Sequence, residues 1–100
     1  MICFGIKPKD IKTCAKTGLT VDIHGTAKKQ LGSVNAIALR ADMDALPIPE
    51  NNPHLNYKSM TDHAHMCGHD GHMATILATA QVLINNRGKI PSNKFVRLLF

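Results

Sequence analysis

Between Asp62 and Met73 the chain reads Asp-His-Ala-His-Met-Cys-Gly-His-Asp-Gly-His-Met, which packs four of its six histidines and one of its three cysteines into twelve residues. Imidazole and thiolate are the common ligands of divalent transition metals, and ligands must converge on a point. The cluster also runs directly into a strongly helical pattern. From His69 to Asn86, the residues Met73, Ile76, Leu77, Ala80, Leu83 and Ile84 recur at i, i+3, i+4, i+7, i+10 and i+11, one broad apolar stripe. The fold therefore has to bring a metal-seeking segment to the start of a helix whose far side is buried. Asp70 lies in the first turn, where a negative charge suits the helix dipole. Gly88 and Pro91 follow as stop signals.

The rest of the chain supplies the layer for that helix. Lys7 to Thr17 has Ile11, Cys14 and Ala15 at helical spacing, with Gly18 as a stop, and predicts a short helix. Leu19 to His24 alternates apolar and polar residues, the pattern of a half-exposed strand. Lys28 to Ser33 reads as a polar connection. Asn35 to Asp42 is more apolar and predicts an interior strand, with Val21–Ile23 and Ile37–Leu39 as neighbouring pairs. Met43 to Met66 carries Pro47, Pro49 and Pro53 and predicts an irregular loop; a loop of this length usually has a function. Lys94 to Phe100 predicts a third strand. Strand, strand, helix, strand is an α/β layer. An apolar strand at the end of the sequence, with an open edge, reads as part of something larger.

Size and charge narrow the function. A chain of 100 residues holds one domain at most and buries roughly two-thirds of its unfolded surface. The net charge of +5 does not indicate nucleic acid, because the lysines are spread out and only three Phe and one Tyr offer stacking rings. Lys9, Lys12 and Lys16 read as a solvated face. No apolar run approaches the ~20 residues of a membrane span. The stretch Met1–Pro8 does not read as a signal peptide. The odd and irregularly spaced Cys3, Cys14 and Cys67 are not a disulfide framework, which points to a reducing, cytoplasmic compartment.

Within the cluster, Cys67 and His69 flank Gly68, so both side chains can reach one metal centre or two adjacent ones. A helix amino terminus beside Cys67 favours its thiolate. His63, His65 and His72, taken singly, read as surface or hydrogen-bonding histidines. An all-segment zinc site from His63, His65, Cys67 and His69 is the competing metal arrangement. Asp42 and Asp44 fall at the carboxyl end of the second strand, where open α/β sheets place their sites, and alternation points both to one side. Asp42 is the expected orienter of a ligand histidine, while Asp44 could equally be a turn residue. Arg40 cannot bind a metal and is a partner for either carboxylate.

The run Ile37-Ala38-Leu39-Arg40-Ala41-Asp42-Met43-Asp44-Ala45-Leu46-Pro47-Ile48, with Glu50 following, and the run His65-Met66-Cys67-Gly68-His69-Asp70-Gly71-His72 together resemble the aminoacylase-type amidohydrolases. That group includes hippurate hydrolase, bacterial N-acyl-amino-acid amidohydrolases and the plant auxin–amino-acid conjugate hydrolases. Tyr57 and Ser59 also fit its loop, and the likeness runs from about Gly18 onward. The resemblance implies a mixed-sheet catalytic domain of zinc-peptidase-like fold, of which residues 1–100 are an incomplete amino-terminal part broken off after a third strand. It implies two divalent metal ions per complete site (zinc, manganese or cobalt), with Cys67 and His69 matching ligand positions. It implies a small-molecule N-acyl amino acid substrate, no nucleic acid or membrane partner, and a homo-oligomer formed through a smaller inserted domain. Where related branches carry His-x-Asp, this chain has Arg40-Ala41-Asp42. The family's Gln-Pro-Ala-Glu-Glu run, with its general-base and ligand glutamates, is not among these residues, so the 100 residues alone are expected to be catalytically silent. Two other readings stay open. One is a non-catalytic metal-binding module. The other is a partner that docks on a full-length homologue through the strand edge near Phe100.

Overall fold

The computed structural model describes the backbone of residues 1–100 and every side chain except that of Cys3. Four strands, β1 (Ile11–Cys14), β2 (Gly18–His24), β3 (Asn35–Arg40) and β4 (Lys94–Leu99), form one sheet in the order β1-β2-β4-β3. The single α-helix, α1, spans His69–Asn85. β1 and β2 pair antiparallel, as do β2 and β4, whereas β3 and β4 run parallel. Parallel neighbours need a crossover, and the long loop with α1 provides it. The mixed sheet with a helix is the expected α/β architecture. It has four strands rather than three.

The extra strand comes from the segment expected to be a helix. Pro8–Asp10 makes one 3-10 turn, and Ile11–Cys14 then pairs with Gly18–Val21 in a hairpin. Ala15 and Lys16 at its tip have φ of 48° and 68°. Ile11 and Thr13 are β-branched and suit a pleated surface, and pairing with β2 outweighs a weak helical spacing. A second correction concerns the strand pairs. Val21–Ile23 and Ile37–Leu39 are not neighbours, because β4 lies between them: Val21 opposes Leu98 and Ile23 opposes Val96 on one side, and Ile37 opposes Val96 on the other. The apolar pattern of β3 fits either arrangement, so nothing local distinguishes them.

The core is the face these register positions share. Val21, Ile23 and Leu98 of the sheet are buried together with Ile76 and Ala80 of α1, and Met73, Leu83, Ile84, Val96 and Leu39 pack around them. The helical stripe therefore meets the odd-numbered side of β2, as its periodicity requires. Asn86 ends the helix: its amide N–H donates to the Val82 carbonyl, and so does its Nδ2. Gly88 then sits in a 3-10 turn, Arg87–Lys89. A Cβ on Gly25 would lie 2.1 Å from the Ile90 carbonyl oxygen, so only glycine lets β2 pass this connection. The buried Asn93 ties down the polar 28–33 connection by accepting from the Gln30 amide at 3.1 Å and donating to the Gln30 carbonyl.

β3 is the exception to this packing. Expected as an interior strand, it forms the sheet edge here, and Ile37 is 66% exposed although it faces the same side as Leu98. Of the strand's apolar side chains Leu39 packs against the core, whereas Ile37 stays outside it. The radius of gyration is 16.6 Å, against about 13 Å for an ordinary 100-residue domain.

Candidate metal centre

In a β-strand–crossover–β-strand unit, the strand's carboxyl end and the helix's amino end meet on the same side of the sheet. Here these are the end of β3, with Asp42 and Asp44, and the start of α1, with His69. The helix start depends on Gly68, whose φ of 89° lies in the left-handed region that favours glycine. That turn takes the chain from the bent 61–67 segment into α1, and the Gly68 carbonyl accepts the first helical hydrogen bond, from the His72 amide at 3.0 Å.

The loop between the two is held by polar contacts. Leu46 and Ala64 exchange two backbone hydrogen bonds of 3.0 Å, with Ala64 buried. Beyond this clasp, the Glu50 carboxylate accepts from the Ser59 amide at 2.7 Å and from Asn52 Nδ2 at 3.0 Å. The Ser59 hydrogen bond, then that of Asn52, holds the Glu50 carboxyl below the usual carboxylate range. Ser59 Oγ in turn donates to the His63 carbonyl. The 43–66 segment is irregular, as expected, yet its ends are fixed beside the helix start.

The result is one convergent group. Donor atoms of Asp42, Asp44 and His69 all lie within 4.8 Å of one another, and this is the only such His/Cys/Asp/Glu trio among the described residues. His69 Nδ1 lies 2.9 Å from Asp44 Oδ1 and 3.3 Å from the Asp44 carbonyl oxygen. Asp42 is paired with Arg40 through Nη2. The expected division of labour is thus reversed: Asp44, not Asp42, contacts the histidine. The two carboxylates do share one side, as alternation requires.

Cys67 is exposed and lies outside this trio, one residue before the Gly68 turn. His63 pairs with its neighbour Asp62 at 2.8 Å, and His65 and His72 are exposed. The four donors of the all-segment zinc arrangement do not come together among the described residues. Two carboxylates and an imidazole at this spacing do suit a divalent cation, and Cys67, two positions from His69 in sequence, is a residue of a kind that ligates such ions. An open hollow beside them is lined by Arg40, Asp42, Met43, Asp44 and Phe100, among others. What residue patterns could not reveal is the Asp44–His69 contact, which spans 25 residues; only the strand-end position of Asp44 hinted at it.

A mixed sheet with a metal-type donor trio where a strand ends and a helix begins defines a class, and the sequence comparison specifies it. The pattern of Peptidase family M20/M25/M40 matches residues 38–100, and the chain belongs to that family. An N-acetyl-L-cysteine deacetylase of Bacillus subtilis is 41% identical over 99 residues, covering 95% of this chain and 22% of that protein. An N-acyl-L-amino acid amidohydrolase of Geobacillus stearothermophilus is 44% identical over 64 residues, covering 64% of this chain and 17% of its own length. A Bacillus subtilis crystal structure, described as a dinuclear metal binding peptidase from the M20 family, superposes with a TM-score of 0.72 at 36% identity. That match covers 91% of this chain and 24% of the neighbour. The chain thus spans less than a quarter of the length of these relatives.

Proposed function

We propose that residues 1–100 form the amino-terminal part of a catalytic domain that hydrolyses the amide bond of N-acyl amino acids or similar conjugates with the help of two divalent metal ions. The observation that carries this reading is the meeting of His69, at the end of the Cys67-Gly68-His69 run, with Asp42 and Asp44 in a chain of the M20 family. Relatives named as a deacetylase and as an amidohydrolase support the substrate class. The exposed apolar side of β3 and the extended radius fit a unit that is completed by further chain.

In this reading Cys67 and His69 are metal ligands. Divalent cations bound there would polarise the amide carbonyl and lower the pKa of water, the chemistry such centres supply. The chain's own contribution is positional. Gly68 sets the angle between the two ligands, Asp44 holds the imidazole, and the Arg40–Asp42 pair keeps a carboxylate at the mouth of the hollow without leaving it unpartnered. A thiolate ligand this exposed also fits a reducing compartment such as the cytoplasm. No helix is long and apolar enough to cross a membrane.

The test is release of free amino acid from an N-acetyl amino acid. A polypeptide that joins these residues to the remaining length of its relatives should release it, and should lose the activity to a chelator and to Cys67→Ser. The 100-residue chain alone should release none. Activity that survives both the chelator and the substitution would refute the metal role. Turnover by the isolated chain would refute the partial-domain reading.

A further inference from the structure

We infer that Asp44 is the positioning residue of this centre: it accepts a hydrogen bond from the Nδ1–H of His69 and leaves Nε2 as the nitrogen presented to a cation. A neutral ring carries one N–H and one lone pair, on different nitrogens. The two atoms that approach His69 Nδ1 are the Asp44 carboxylate oxygen at 2.9 Å and the Asp44 carbonyl oxygen at 3.3 Å. Both accept and neither can donate. Nδ1 must therefore hold the proton, and the lone pair falls on Nε2.

Asp42 has a different partner, since its Oδ1 is engaged by Arg40, and no hydrogen bond joins it to the His69 ring. Asp44 is also held through the loop that follows it. The Leu46–Ala64 clasp starts two residues after it and grips the segment leading to Gly68, so the carboxylate and the ring are held from both sides of the loop. A carboxylate behind a ligand histidine fixes its tautomer and raises its basicity, and losing such a partner typically costs 10–100-fold in metal affinity. The role in metal capture rests on the amidohydrolase reading. The tautomer does not.

Both parts can be measured on the 100-residue chain. Nitrogen-15 spectra of the metal-free protein, recorded at alkaline pH where imidazole is neutral, should show His69 as the Nδ1–H form. Asp44→Ala, which leaves Nδ1 only the longer contact to the residue 44 carbonyl oxygen, should move the shifts part of the way toward the Nε2–H form, while Asp44→Asn, which keeps a side-chain acceptor oxygen, should retain the original pattern. Zinc affinity, read by competition with a chromophoric chelator, should fall about 10–100-fold in Asp44→Ala and distinctly less in Asp44→Asn, which keeps the acceptor but not the charge. Asp44 is 67% exposed, so the amide spectrum should otherwise be unchanged and serves as the folding control. An Nε2–H tautomer in the parent chain overturns the inference. So does equal loss of zinc affinity in the Asn and Ala variants, which would make Asp44 itself a ligand. A chain with the expected tautomer but no zinc affinity supports the Asp44 contact and counts against the metal reading alone.

Discussion

Where β2 meets β4, Val21 and Leu98 oppose each other with 1% and 0% of their surfaces exposed, and α1 closes over them. Where β3 ends, the side chains are Asp42, Asp44 and His69, half-buried or exposed, and what holds them is hydrogen bonding around a long loop. Apolar contact is non-directional and scales with area, so it stabilises the first region without specifying any single atom. Hydrogen bonds and ion pairs are directional and worth little each in water, so they place particular oxygens and nitrogens in the second region while adding little stability. One half of the molecule makes the fold, and the other uses it to aim donors at a point.

The sharpest way to break that contrast is to remove apolar volume from each half. Leu98→Ala should cost about 2–5 kcal/mol in urea unfolding. Ile37→Ala, on the same face of the sheet but 66% exposed, should change stability by no more than about 0.5 kcal/mol. Equal losses would mean that β3 is packed after all. A second comparison works on the loop. Glu50→Ala removes the acceptor for Ser59 and Asn52, and should speed amide exchange across residues 50–60 without shifting the exchange of β2 or β4. Coupled exchange in both would show that the two halves form one cooperative unit.

The smallest expected effect lies within the ladder itself. Asp22 opposes Arg97 across β2 and β4, with both carboxylate oxygens 2.7 Å from the guanidinium. The Arg97 hydrogen bond, opposed in part by burial, holds the Asp22 carboxyl below its ordinary value of 3.8. A carboxyl that is more acidic folded than unfolded contributes stability that is complete above 3.8 and disappears as the pH falls through the lowered folded value. The pair is partly exposed, so the contribution is modest. Acid titration of the fold should show this loss in the parent chain, and Asp22→Asn should flatten that segment of the curve. An unchanged acid profile in the variant would mean that the pair contributes nothing to stability.

How far each feature could be read from the residues follows the same division. The α1 stripe was legible because 3.6-residue periodicity is a local property, and the structure places Ile76 and Ala80 in the core. β2 and β4 were legible by alternation and apolar content. β1 was not, since Ile11, Cys14 and Ala15 match a helical spacing while the deciding factor was pairing with β2. The placement of β4 between β2 and β3 was invisible for the same reason: three apolar strands permit several orders. At the candidate centre, His69 was legible from a short Cys-Gly-His motif whose Cys67 lies outside the trio, and Asp42 and Asp44 from their strand-end position. The exchange of tasks between the two aspartates was not, because it depends on a contact that spans 25 residues. The Glu50–Ser59 network had no signal beyond the family likeness.

The account stands on Cys67 and His69 acting together on one centre, although Cys67 lies outside the trio formed by Asp42, Asp44 and His69. The most direct test is titration of the reduced chain with Co²⁺, following the sulfur-to-cobalt charge-transfer absorption. The account predicts a thiolate band that disappears in Cys67→Ser, is weakened in His69→Ala and persists in Cys14→Ser. A band that survives Cys67→Ser, or cobalt binding that shows no thiolate character at all, would contradict it.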